Sequence, residues 1–96
     1  MIVWDPIAPG ELLLGQINWG LRLAGDTIAS SVWSASNPAG LTLTPAVPTF
    51  INSPGNYTQI WTSTPVLGVT YLITNTITTG AGSIEIETVQ MTCALK

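Results

Sequence analysis

Ninety-six residues are enough for one domain and too few for two with separate cores. Only 7% are charged, two basic against five acidic for a net charge of -3, which excludes the Lys/Arg footprint that nucleic acids and anionic membrane surfaces require. With no histidine, Ser-His-Asp catalysis and most zinc sites are excluded as well.

Residues 1–10 carry Ile2, Val3 and Trp4 ahead of Asp5-Pro6 and Pro9-Gly10, a short apolar arm followed by two turn signals. A boundary after Gly10 leaves residues 11–96 as the folded domain. Two readings of the arm stand side by side: it docks on a neighbour, or it is a first edge strand that packs Trp4 on its own core. No basic stretch precedes the apolar residues, so this stretch makes a poor signal peptide and folding in a cytoplasm is expected. No apolar run approaches the roughly 18 residues of a membrane-spanning helix.

From Leu13 to Leu23 the odd positions Leu13, Ile17, Trp19, Leu21 and Leu23 are apolar, and Gly15 and Gly20 weaken a helical alternative, so the spacing predicts a strand. Gly25-Asp26 makes a turn. Thr27 to Ser34 is the next strand, with Ile28 and Val32 on one parity and Ala29 and Trp33 on the other, which signals a bulge or an edge. Ser36 to Gly40 is a loop by composition. Leu41-Thr42-Leu43-Thr44 alternates before Pro45 and Pro48, which confine that segment to a sheet edge. After a turn at residues 52–56, Tyr57 to Ser63 is another strand.

The last third reads as a β-hairpin. Val69, Tyr71, Ile73 and Ile77 share one parity, Gly80-Ala81-Gly82 reverses the chain, and Val89, Met91, Cys93 and Leu95 return on one parity. Ile84 and Ile86 fall on the other parity from Val89. Either a bulge near Glu87-Thr88 restores the phase, or the two isoleucines face outward near the tip beside an inward-facing Glu85 and Glu87; the second is expected. Tyr71, early in its strand after the turn at Thr64-Pro65, fits a tyrosine corner and is read as structural. Trp19 and Trp33 sit where a small sandwich needs core mass, and Cys93, the single cysteine, is read as a small core residue. The sum is an all-β chain: a single immunoglobulin-like β-sandwich of about six or seven antiparallel strands with no helix.

No catalytic, cofactor or metal site emerges. Glu85 and Glu87 could be an acid pair or half a calcium site, but are read as charges guarding an exposed strand end. Asp26 is a turn residue. Trp61 is open to more than one reading, and Trp4, the tryptophan expected to be exposed, does not by itself make a sugar-stacking platform. A domain of this size exposes on the order of 5,000 Å². So few charges over that surface suit a chain that works inside an assembly. Ile2, Val3, Trp4, Ile84 and Ile86 are the apolar projections assigned to docking.

Asp5-Pro6, Ile17-Asn18-Trp19, the run Leu23 to Trp33 with its Gly-Asp-Thr-Ile, Ala39-Gly40-Leu41-Thr42, Ile60-Trp61 and Thr70-Tyr71 through Thr79 together resemble a family of small tailed-bacteriophage fiber-tail adaptor proteins. The chain departs from that pattern at Asn18, Thr76 and Ile86, each time by losing charge. The resemblance implies a non-enzymatic virion structural protein, folded in the host cytoplasm, whose partners are other virion proteins of tail, baseplate or fiber, or further copies of itself. A capsid or tail-tube decoration protein and a carbohydrate- or receptor-binding sandwich are the alternatives.

Overall fold

The computed structural model describes residues 2–36, 40–53 and 55–96. Most of the loop expected at residues 36–40, and Pro54 of the expected turn at 52–56, lie outside them. Among the described residues seven strands are present: β1 (Ile2–Val3), β2 (Leu13–Asn18), β3 (Ile28–Ser36), β4 (Thr42–Ile51), β5 (Tyr57–Ser63), β6 (Thr70–Thr79) and β7 (Ile84–Thr92), with one helical turn, α1 (Gly20–Leu23). They form a four-stranded sheet in the order β1-β7-β6-β3 and a three-stranded sheet in the order β2-β5-β4. With β2 to β7 taken as strands B to G, this is the C-F-G against B-E-D division of an immunoglobulin-like sandwich.

Each sheet turns one parity inward. Ile17 of β2, Ile60 of β5, Tyr71, Ile73 and Ile77 of β6, and Val89 and Met91 of β7 are buried between the sheets, together with Ile7 and Cys93. Burying one parity on both sheets also fixes register, since a one-residue slip would turn these side chains to water. Tyr71 is fully buried, and its Oη accepts the Val66 backbone N–H at 2.9 Å, the bond expected of a tyrosine corner. The β6–β7 register runs without interruption from Thr70↔Thr92 to Thr78↔Ile84. There is accordingly no bulge at Glu87-Thr88, and Ile84 and Ile86 face outward.

Three expectations are corrected. The strands are not all antiparallel, because β1 pairs in parallel with β7 through Ile2↔Val89 and Val3↔Gln90. The first residues also do not leave the body. Asp5-Pro6 only interrupts the pairing, which resumes where Ile7 donates to the Thr92 carbonyl at 3.1 Å and accepts from Ala94 N at 3.0 Å. Proline withdraws one ladder bond without turning the segment away. Of the two readings of residues 1–10, the edge strand is the one present.

Third, the strand from Leu13 ends at Asn18. Asn18 Oδ1 accepts the Gly20 N–H at 2.8 Å, Leu23 N donates to Trp19 O at 3.0 Å, and Ala24 closes the turn in the left-handed region at φ 49. Trp19 and Leu23 are both buried, a spacing of four that satisfies a helical turn as well as an alternation. Leu21 between them is fully exposed.

The expected irregularity in β3 is present, with a register shift between Ile28 and Ser30, and β3 is also the last strand of its sheet. β4 is an edge strand, and its pairing with β5 lapses between Pro45 and Phe50, where the prolines stand.

Candidate docking face

The register of the four-stranded sheet decides which exposed residues are neighbours. Val32 of β3 pairs with Thr76 of β6, and Thr76 with Ile86 of β7, so one outward row crosses three strands as Val32, Thr76, Ile86. The next row is Ser30, Thr78, Ile84. Farther along, Leu72 stands opposite Gln90, which pairs in turn with Val3 of β1. Thr70–Thr92 and Thr74–Thr88 join hydroxyls across the β6–β7 pair at 3.0 and 3.2 Å. Val32, Ile84 and Ile86 are 64%, 66% and 55% exposed. No outward position named here is charged. At about 4.8 Å between strands and 3.4 Å per residue, the three long strands β3, β6 and β7 present roughly 450 Å² of flat surface.

Of the five residues assigned to docking from sequence, Val3, Ile84 and Ile86 share this face and two do not. Ile2 turns inward, opposite the buried Val89, and packs against the core. Trp4 also turns inward, half-buried, its ring 6.0 Å from that of Trp33 and against Gly15 of β2. The exposed Trp4 expected from sequence is therefore corrected: with residues 2–7 paired along β7, alternation puts the indole between the sheets. Trp33, expected in the core, is half-buried at its margin, and its indole N–H is enclosed with no partner among the described residues. Trp61 lies on the outer side of the opposite sheet, in register with Leu14 and Thr44.

Val32 and Leu72 were not singled out from sequence. Their outward parity could be read, but that they join Ile86 and Val3 on one face depends on strand order and register.

Two devices hold the hairpin tip. Arg22, on α1, lies 4.8 Å over the Trp19 ring and donates to Glu85 Oε1 at 2.9 Å, the Ile86 carbonyl at 3.1 Å and Glu87 Oε2 at 3.5 Å. The two glutamates are thus held beside a cation at the sandwich margin, leaving the isoleucines to the outer face. Partly exposed, these pairs orient more than they stabilise. On the other side of the tip, Asp26 accepts from Thr27 N at 2.8 Å and from Ala81 N at 3.3 Å, and Gly80 N donates to Thr27 O at 2.8 Å. The Thr27 amide and then the Thr79 hydroxyl hold the Asp26 carboxyl below its ordinary range. Asp26 is a turn residue, as expected.

Behind the face lies a buried polar network that sequence reading missed. The Trp19 indole N–H is shared between Thr58 Oγ1 and Asn75 Oδ1, both at 3.1 Å. Thr58 donates to the same Asn75 oxygen at 2.6 Å, and Asn75 Nδ2 donates to Ser31 Oγ at 2.8 Å and to the Val32 carbonyl at 3.1 Å. Asn75 is fully buried, and it is the one amide in the inward series Tyr71, Ile73, Asn75, Ile77, Thr79; that interruption was the available signal. Fully satisfied networks of this kind rigidify what they join, here the strands that carry Val32 and Ile86.

Among the described residues there is no cluster of His, Cys, Asp or Glu that could hold a metal ion, and no helix long and apolar enough to cross a membrane. No curated protein matches the chain. A family model described as podophage GP4 fiber-tail adaptor protein gp77 matches residues 8–93.

Proposed function

Because the chain belongs to the podophage GP4 fiber-tail adaptor protein family, we propose that it is a non-enzymatic structural part of the virion that joins tail or baseplate to fiber. It docks on neighbouring virion proteins through the outer face of the four-stranded sheet. The observation that supports this reading is the charge-free row Val32, Thr76, Ile86, extended by Ile84, Leu72 and Val3 on a rigid support. Desolvating threonines and aliphatics costs less than desolvating charges, so such a face suits a permanent contact.

The test is capture of tail and fiber proteins from a particle lysate by the immobilised chain. Ile86→Lys and Leu72→Lys are expected to lose that capture while unfolding at the temperature of the parent chain. Capture of the same proteins by both variants at parental levels would overturn the assignment of the face. A copy number in the particle matching the capsid or tail-tube subunits, rather than the tail–fiber junction, would favour a decoration protein instead.

A further inference from the structure

The outer edge of β3 is the longest in the fold that carries neither proline nor charge. Among the described strands at a sheet edge, β1 has two residues and β2 six, and β4 is broken by Pro45 and Pro48. At its start the β3 edge is occupied: the Asn52 side chain accepts from Ile28 N at 2.8 Å and donates to Ile28 O at 3.0 Å, as a neighbouring strand would. From Ser30 onward β3 has β6 on one side and, among the described residues, no strand on the other. The Val32 carbonyl points to β6, where it accepts from Asn75. By strand alternation, the backbone N–H and C=O of Ser31 and Trp33 point to the open side. Uncharged edges of this kind are ones that proteins ordinarily cover or pair.

The sequence of this edge is self-complementary. It reads Ala29-Ser30-Ser31-Val32-Trp33-Ser34-Ala35. Reversed about Val32, it sets serine 30 against serine 34 and Ser31 against Trp33, with both members of each pair on the same face of the sheet, while Ala29 falls in the register shift at the start of the strand. A foreign strand would need no such symmetry, whereas two copies meeting across a two-fold axis use the same patch twice. We propose that a second copy of this chain pairs antiparallel with β3 across an axis at Val32, making one continuous sheet of the two four-stranded ones. Ser31 of each copy then exchanges both backbone bonds with Trp33 of the other, and the two Val32 side chains meet on the outer face. On the inner side, a cleft of about 260 Å³ lined by Ser31, Trp33, Leu43 and Pro45 gives the indole room beside the incoming serine. The inference stands on the β3 edge and does not depend on the docking reading. Its effect there would be to present two docking faces side by side.

Disulfide trapping tests it. Across a non-hydrogen-bonded pair the two Cα atoms at position 32 lie about 4.5 Å apart, within disulfide reach. The only native thiol, Cys93, is buried. Under mild oxidation Val32→Cys is expected to form a covalent dimer at least tenfold faster than Val47→Cys, although Val47 is 96% exposed. Equal or slower cross-linking at position 32 overturns the proposal. A non-covalent dimer seen by light scattering should be lost in Val32→Lys and kept in Ile86→Lys. Persistence of the dimer in Val32→Lys, with an unfolding curve like that of the parent, also overturns it. Ile86→Lys touches the face and not the edge, so failure of the docking reading is seen separately.

Discussion

The Trp4 ring rests on Gly15, where the Cβ of any larger residue would stand. The contact bolts β1 across the sandwich to β2, and it explains why a glycine occupies an inward position of a strand. Gly15→Ala must displace the indole and is expected to cost about 1–3 kcal/mol. Trp4→Ala empties the site from the other side and costs about 3 kcal/mol. Both should appear as lower urea midpoints at unchanged slope. A Trp4 variant that fails to assemble therefore reports on folding first, and docking is better probed at Ile86 or Leu72.

Asn75 is the shared acceptor for the Trp19 indole and the Thr58 hydroxyl and the donor to Ser31 and Val32. Asn75→Ala leaves several of these groups buried and under-satisfied, at an expected cost of about 2–4 kcal/mol. Hydrogen exchange would place the loss: amides of β3 and β6 should exchange faster than those of β2.

Tyr71→Phe removes only the Oη that accepts the Val66 N–H. The ring stays in the core, so the expected cost is about 1–2 kcal/mol, read as a fall in Tm without change in the far-UV spectrum. An unchanged Tm would mean that the corner bond contributes nothing beyond the ring's packing.

What the sequence disclosed follows from how local each feature is. Alternation in Tyr71, Ile73 and Ile77, the tyrosine corner and the prolines that make β4 an edge are properties of a few neighbouring residues, and each was legible. The turn Gly20–Leu23 was not, because Trp19 and Leu23 fit both periods. The course of residues 2–7 was not, because Asp5-Pro6 signals a break and not where the chain goes next. The proposed face was half legible: Ile84 and Ile86 were identified as outward, but their neighbours Val32 and Leu72 come from strands whose register only the folded chain sets.

Asp26 makes the hairpin tip sensitive to acid. Its carboxyl accepts from the Thr27 amide, the Thr79 hydroxyl and the Ala81 amide, in that order of weight, and its pKa lies below the ordinary 3.8. A depressed carboxyl pKa means that the folded chain holds the proton less readily than the unfolded one. The stabilisation is therefore complete above pH 3.8, fades as the pH falls from there toward the folded value, and is absent below it. Glu11, lowered from 4.5 first by its bond to Lys96 and then by the Ala8 amide, adds a contribution of the same sign that begins to fade at a higher pH. Thermal unfolding followed from pH 6 down to about pH 2, across the range of carboxylate titration, should show a fall of Tm in the parent chain as these carboxyls protonate. Asp26→Asn keeps an acceptor for the Thr27 amide but cannot titrate, so its profile should be flatter at the acid end. The amides of Gly80, Ala81 and Gly82 should lose protection in the parent before those of the β6–β7 ladder do, since the carboxylate ties down the turn and not the strands. Simultaneous loss across turn and ladder would mean that the tip is held by the strands alone.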